Sequence, residues 1–168
     1  INTVRIPVAW TNGDKDDGSY TINAKMLDAV EKAVIYALNN GMYVIINDHW
    51  DNQWWGQFGA CKRDENNKKV ANEEVRAQAW VRYEKYWTQI DSIYSNGYAV
   101  TDDQKDVSIG GNLKTADKYK MAHEINQKFV DVIRATGGNN ANRHLLIPGY
   151  NTDFEKTADE KYIMPTDI

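Results

Sequence analysis

The chain has 168 residues, of which 42% are hydrophobic and 26% are charged, a composition typical of a globular domain. Its 20 basic and 24 acidic side chains give a formal charge of -4, which lacks the positive footprint that a nucleic acid backbone requires. No apolar run approaches the roughly 18 residues of a membrane-spanning helix, and the single cysteine, Cys61, excludes a scaffold held by internal disulfides. We therefore predict one domain or part of one, with neither nucleic acid nor membrane as a partner.

The first 50 residues predict a strand, a helix and a second strand. Residues 3–8 form a short apolar run typical of a buried strand. Asn23 is a suitable N-cap for a helix with apolar side chains at helical spacing, and Asn40-Gly41 is suited to end that helix. The run 42–46 is continuously apolar, as in a parallel strand covered on both faces. This order predicts a βαβ unit.

The rest of the chain continues this alternation but interrupts it once. A long loop over 49–70 precedes a second helix, for which Asn72 is the N-cap. No strand is predicted after Ile90, and a polar segment over 91–114 leads directly to a third helix. A final short strand is predicted over 144–148. We expect a break between residues 90 and 91, either because ordered segments of a longer polypeptide are joined there or because of a deletion.

Three strands with intervening helices predict α/β architecture, either a doubly wound sheet or part of a (β/α)8 TIM barrel. A complete barrel typically needs about 250 residues, so this chain is too short for one. The chain also begins within a predicted strand. We therefore expect it to be an excerpt of a longer domain.

Tryptophan is concentrated in the predicted loops after the first two strands, where parallel α/β folds bind ligands. These loop residues are Trp10, Trp50, Trp54 and Trp55. Indole rings interleaved with Asn, Gln and Asp suit a ligand with apolar C–H faces and a hydroxyl rim, which describes a sugar chain. The alternative is a hydrophobic cluster that pins a long loop. The residues alone leave both interpretations open.

Other common chemistries find little support in the residues. The Gly-Gly pairs match neither a P-loop nor a dinucleotide fingerprint. His49 with Asp48 and Asp51 is a poor metal site, because neighbouring strand residues point to opposite faces and no second His or Cys stands at zinc-site spacing. Cys61 has no evident His partner. We predict no cofactor and no metal, and expect the chemistry to come from carboxylates.

Three segments of the chain resemble one known family. They are residues 2–10 with the motif R-I-P-V, residues 41–50 with the motif Y-V-I-I-N-D-H-W, and residues 145–152. In order and spacing they resemble the second, third and fifth strands of a glycoside hydrolase family 5 cellulase. The resemblance covers essentially the whole chain.

This resemblance implies that residues 1–168 are a single partial catalytic domain of a (β/α)8 barrel that hydrolyses β-1,4-glucans with retention, using two Glu and no cofactor. It implies a β-glucan as the partner and an extracellular place of action. Arg5 would match the arginine that orients the nucleophile, and His49 the strand-end histidine of the cleft. The substrate-binding candidates would be Trp10, Trp50, Trp54, Trp55, Tyr150 and Asn151. From the residues alone, a structural ion pair for Arg5 and a simple hydrogen-bonded role for His49 stay open.

The retaining mechanism needs a carboxylic acid and a carboxylate about 5 Å apart, and the chain lacks both expected residues. Asn72-Glu73 has the family's dipeptide, but it opens a helix instead of ending a strand. We therefore expect the first strand, the fourth strand and everything from the sixth onward to be missing. The alternative function is a catalytically inactive glucan-binding fragment, or a part of the barrel that a partner chain complements.

Overall fold

The computed structural model describes residues 2–15, 17–93, 98–101, 114–150 and 153–167. The strands are β1 (Thr3–Val8), β2 (Tyr43–Asp48), β3 (Cys61–Arg63), β4 (Lys69–Ala71), β5 (Tyr98–Thr101) and β6 (Leu145–Leu146). The helices are α1 (Ala24–Asn39), α2 (Asn52–Trp55), α3 (Glu73–Ile93), α4 (Thr115–Ala135) and α5 (Phe154–Thr157). Short 3-10 helices cover Trp10–Gly13, Gly56–Gly59 and Gly138–Asn142.

The central sheet has four parallel strands in the order β1-β2-β5-β6. In the first pair Thr3 lies opposite Tyr43 and Val8 lies opposite Asp48. Because all four strands run in the same direction, their carboxyl ends meet at one edge of the sheet. The predicted α/β class with parallel strands is confirmed.

The helices cover one face of this sheet. On β2 the alternate residues Val44 and Ile46 are 1% and 2% exposed, and Val8 at the end of β1 is also buried. The opposite face carries Arg5 and Tyr43, which are exposed. The core therefore lies between the sheet and helices α1, α3 and α4, whereas the other face is exposed at these two residues.

The helix starts follow the local signals in the sequence. The side chain of Asn23 accepts a 2.9 Å hydrogen bond from the backbone N–H of Met26, and Asn72 accepts one of 3.5 Å from Val75. Both caps are confirmed, and Asn72-Glu73 indeed opens a helix. None of the described helices is both long and apolar enough to cross a membrane.

The segment after Ile90 differs from the prediction. Helix α3 continues past the expected break to Ile93, and β5 then pairs in parallel with β2 on one side and β6 on the other. The expectation that no strand lies between the second and third helices is therefore wrong. Tyr98–Thr101 has only four residues, too few for a pattern of alternation to emerge, and pairing on both sides defines it as a strand.

The predicted loop over 49–70 also contains unexpected structure. Strands β3 and β4 form an antiparallel hairpin with Cys61 opposite Ala71. Its turn is held by the Asp64 side chain, which accepts hydrogen bonds from the backbone N–H groups of Asn66 at 2.9 Å and Lys68 at 2.8 Å. Strands of three residues are too short to be recognised from periodicity.

Candidate functional site

The loops at the carboxyl ends of β1 and β2 lie side by side. The backbone N–H of His49 donates a 2.9 Å hydrogen bond to the carbonyl of Val8, which extends the pairing one residue past β2. Asn47 and Asp48, the last two residues of β2, are 0% and 2% exposed. This edge therefore combines buried polar groups with His49 and Trp50, the residues that follow.

A single carboxylate joins the two loops. Asp51, 1% exposed, accepts hydrogen bonds from the backbone N–H of Trp10 at 2.9 Å and of Thr11 at 3.3 Å. It also accepts one from the Thr11 hydroxyl at 2.5 Å. Because this one carboxylate accepts hydrogen bonds from three donors of the neighbouring loop, Asp51 holds the two loops together.

Trp54 and Trp55 lie inside the protein. They are 1% and 0% exposed and stack on each other with ring centroids 4.9 Å apart. The stack packs against Phe58 of the same loop and against Tyr83 and Tyr86 of α3. The Trp55 indole N–H donates a 2.8 Å hydrogen bond to Oδ2 of Asp48.

The burial of these rings contradicts the sugar-stacking role predicted for them. Trp10 is likewise 0% exposed, so none of Trp10, Trp54 and Trp55 offers a ring face to a ligand. For Trp54 and Trp55 the physical reason is the row of aromatic rings on α3, because packing against Tyr83 and Tyr86 removes the indoles from solvent. Trp10 is part of the same hydrophobic core. The structure therefore matches the alternative that the sequence left open, a hydrophobic cluster that pins the loop.

Trp50 is different, because its side chain is 68% exposed. Its backbone has φ +63°, a left-handed conformation that is a genuine outlier for a bulky residue. Its ring meets the His49 imidazole edge to face, with centroids 4.5 Å apart and an angle of 78° between the ring planes. The strained backbone thus presents an indole to solvent next to the strand-end histidine.

His49 is half-buried and contacts a residue that the sequence analysis did not single out. The Asn47 side-chain nitrogen lies 3.3 Å from Nδ1 of His49 and donates a 3.2 Å hydrogen bond to the backbone carbonyl of Asp48. Alternation along β2 could have signalled this contact, because residues two apart on a strand share a face.

Arg5 lies on the same face of the sheet as Asn47 and His49. It is opposite Ile45, and residues 45, 47 and 49 alternate onto one side of β2. Arg5 is exposed on this face, whereas Asn47 at the end of β2 is buried. The structure therefore places the two residues predicted to support catalysis on one face, with Arg5 nearer the start of its strand.

Tyr150 is 6% exposed, and its ring packs on Tyr119 of α4 with centroids 4.6 Å apart. Burial raises the pKa of the Tyr150 hydroxyl. With its ring packed in this way, the structure contradicts the predicted stacking role for Tyr150 as well. Asn151, the remaining predicted binding residue, lies outside the described residues.

Within the described ranges, no three or more His, Cys, Asp and Glu side chains come together in a way that could hold a metal ion. Among the predicted site residues that the structure describes, Arg5, His49 and Trp50 keep exposed or half-buried side chains, and the structure adds Asn47 beside His49. The role predicted for Asn151 stays a prediction.

Comparison with known proteins identifies the family. The family model described as cellulase (glycosyl hydrolase family 5) matches residues 1–167. The chain belongs to glycoside hydrolase family 5. A curated relative is the xyloglucan-specific endo-beta-1,4-glucanase from Bacteroides ovatus. It is 36% identical to this family 5 chain, and the match covers 100% of this chain.

Solved structures of family 5 proteins have the same fold. A broad-specificity endoglucanase from Bacteroides salanitronis superimposes with a TM-score of 0.82 and 32% identity over 100% of this chain. A lichenase from Caldicellulosiruptor sp. F32, solved with cellotetraose, gives a TM-score of 0.76 and 28% identity over 99% of this chain. The family 5 chain spans 32% of the curated relative, 45% of the endoglucanase and 44% of the lichenase.

Proposed function

We propose that the polypeptide to which this chain belongs is a glycoside hydrolase that cleaves β-1,4-glucosidic bonds within β-glucans. In this proposal β1, β2 and β6 are the second, third and fifth strands of a (β/α)8 barrel, and β5 occupies the position of the fourth. The chain then supplies one wall of the cleft, and the enzyme acts outside the cell, where its polymeric substrate is found.

One observation carries this proposal. Trp50 presents a largely exposed indole at the carboxyl edge of a parallel sheet, in edge-to-face contact with His49. An apolar ring face beside a hydrogen-bonding imidazole suits the C–H face and hydroxyl rim of a glucosyl unit. The relatives support the same class of ligand, since one is named for xyloglucan and another was solved with cellotetraose.

The retaining mechanism assigns the bond-breaking steps to two carboxyl groups about 5 Å apart. In this chain the four parallel strands are followed by Ala9, His49, Asp102 and Ile147, so no Glu directly follows any of them. We therefore expect the general acid and the nucleophile to come from other parts of the polypeptide. The part proposed for this chain is to bind the glucan and orient the carboxylates, through Trp50, His49 and Arg5.

Hydrolysis by the purified polypeptide that carries this chain tests the proposal directly. We expect new reducing ends from soluble cellulose, mixed-linkage glucan or xyloglucan, with chain length falling early in the reaction, as internal cleavage requires. If none of the three is cleaved, the proposed activity is wrong. Glucan-dependent quenching of tryptophan fluorescence without cleavage would instead support the inactive binding fragment.

The position of the glucan is tested by a matched pair of substitutions. Trp50→Ala removes a 68% exposed ring at the proposed cleft, whereas Tyr36→Ala removes a 72% exposed ring on α1. An aromatic contact is worth about 0.5–1.5 kcal/mol, so KM should rise by about 2- to 10-fold for Trp50→Ala. KM should stay unchanged for Tyr36→Ala. Equal effects of the two substitutions would place the glucan elsewhere.

A further inference from the structure

The contact between Asn47 and His49 determines where the imidazole carries its proton. Asn47 is fully buried at the end of β2, with its side-chain nitrogen 3.2 Å from the carbonyl oxygen of Asp48. A backbone carbonyl only accepts hydrogen bonds, so the amide must turn its NH2 group, and not its oxygen, toward this carbonyl. The orientation of the Asn47 amide is thereby defined without reference to the histidine.

The same NH2 group lies 3.3 Å from Nδ1 of His49. An amide nitrogen donates and has no lone pair to accept with, so Nδ1 has to be the acceptor in this contact. A neutral imidazole has one acceptor nitrogen and one donor nitrogen. If Nδ1 accepts, the ring proton is on Nε2.

We propose that Asn47 is a positioning residue that holds neutral His49 in the tautomer with hydrogen on Nε2. The ring is held from two sides, by the Asn47 amide at Nδ1 and by the edge-to-face Trp50 indole. In this tautomer Nε2–H of His49 is a hydrogen-bond donor of the kind that a glucosyl hydroxyl can accept. The assignment of a hydroxyl as ligand rests on the proposed function, whereas the tautomer follows from the protein contacts alone.

Nitrogen-15 NMR of protein labelled at histidine measures the tautomer without substrate. In long-range ¹H–¹⁵N spectra at pH 8, we expect Nδ1 of His49 to have the chemical shift of an unprotonated ring nitrogen and Nε2 that of a protonated one. His49→Ala identifies the signals by their disappearance, since the chain has three histidines. A protonated Nδ1, or averaged shifts at the two nitrogens, would overturn the proposal.

Substitutions at Asn47 then test its role. In Asn47→Asp a carboxylate, which only accepts hydrogen bonds, replaces the amide NH2 group, which donates them. The ring proton of His49 should therefore move to Nδ1, and the chemical shifts of the two ring nitrogens should exchange. In Asn47→Ala the shifts should move toward each other. The control is Asn126→Ala, which removes another fully buried amide, on α4, and should leave the His49 signals unchanged. Unchanged His49 signals in both Asn47 variants would overturn the role of Asn47, and the wild-type spectrum decides the tautomer if neither variant folds.

The two proposals can fail separately. Glucan hydrolysis with Nδ1 protonated would overturn the tautomer assignment and leave the proposed function in place. A protonated Nε2 in a protein that cleaves no glucan would overturn the proposed function and leave the tautomer assignment in place. If both proposals hold, Asn47→Ala should raise KM for glucan more than Asn126→Ala does.

Discussion

The indole nitrogen of Trp55 and the Oδ2 atom of Asp48 are 2.8 Å apart, and neither residue is more than 2% exposed. A buried carboxylate is costly unless donors satisfy it, so this indole stabilises the charge at the end of β2. Trp54, next in the stack and equally buried, donates no hydrogen bond from its indole nitrogen within the described structure.

This difference predicts unequal effects for the same substitution at adjacent positions. Trp55→Phe removes the indole donor from a buried carboxylate oxygen of Asp48, which costs about 1–3 kcal/mol beyond the lost ring volume. Trp54→Phe loses ring volume alone. Urea unfolding of the two variants should therefore show the larger loss of unfolding free energy for Trp55→Phe. Equal losses would mean that the hydrogen bond to Asp48 contributes nothing.

Removal of the Asp51 carboxylate should also destabilise the protein. Asp51→Ala leaves the buried backbone N–H of Trp10 without its acceptor, so we expect a loss of at least about 2 kcal/mol. Thr11→Val removes only the hydroxyl bond to the same carboxylate and should cost about 1 kcal/mol. Denaturant unfolding measures both values. A loss for Thr11→Val as large as that for Asp51→Ala would contradict this role for the carboxylate.

The backbone of Trp50 predicts that glycine is tolerated there better than alanine. A left-handed conformation costs a residue with a Cβ roughly 1–2 kcal/mol, whereas glycine adopts it freely. Trp50→Gly should therefore be more stable than Trp50→Ala by about 1 kcal/mol, although both lose the exposed indole. Thermal and urea unfolding check this order. An alanine variant that is the more stable of the two would show that position 50 does not keep this conformation.

Local signals predicted much of the fold. The caps at Asn23 and Asn72 act through hydrogen bonds to residues three positions away, so sequence alone is enough to locate them. The end of α4 is equally local, since Gly137 and Gly138 adopt the positive φ angles that favour glycine.

The site was predicted less well, because burial in a loop depends on distant residues. Trp54 and Trp50 are four residues apart in one loop, yet only Trp54 meets the rings of Tyr83 and Tyr86 from α3. Nothing local to the loop distinguishes a core indole from an exposed one. Strand β5 was missed for the same reason, since it is defined by pairing with β2 and β6.

Alkaline pH should lower the free energy of unfolding, because the buried hydroxyl of Tyr86 resists ionisation in the folded protein. Burial, together with the 2.7 Å hydrogen bond to Asp14, raises the pKa of Tyr86 well above its usual value near 10. Above pH 10 the unfolded chain loses this proton while the folded protein keeps it, so stability falls as pH rises. Each such tyrosine contributes a slope of about 1.4 kcal/mol per pH unit.

The measurement compares unfolding free energies of the wild type and Tyr86→Phe between pH 7 and 11.5. Below pH 9 the two curves should run parallel, offset by the lost hydrogen bond to Asp14. Above pH 10 the wild type should lose stability more steeply, by about 1.4 kcal/mol per pH unit. Parallel curves over the whole range would show that Tyr86 ionises alike in the folded and unfolded states.

The carboxylate of Asp51 has a consequence for the thermodynamics of ligand capture. It accepts hydrogen bonds from Trp10 and Thr11, which lie 41 and 40 positions earlier in the chain. The loops that follow β1 and β2 therefore lose conformational freedom together when the protein folds. A ligand that binds at Trp50 therefore does not have to order these loops. The entropy cost of ordering them is met during folding, so less of the contact energy is lost on binding and the affinity is higher. The two loops should also move as one body, because separating them breaks charged hydrogen bonds inside the protein.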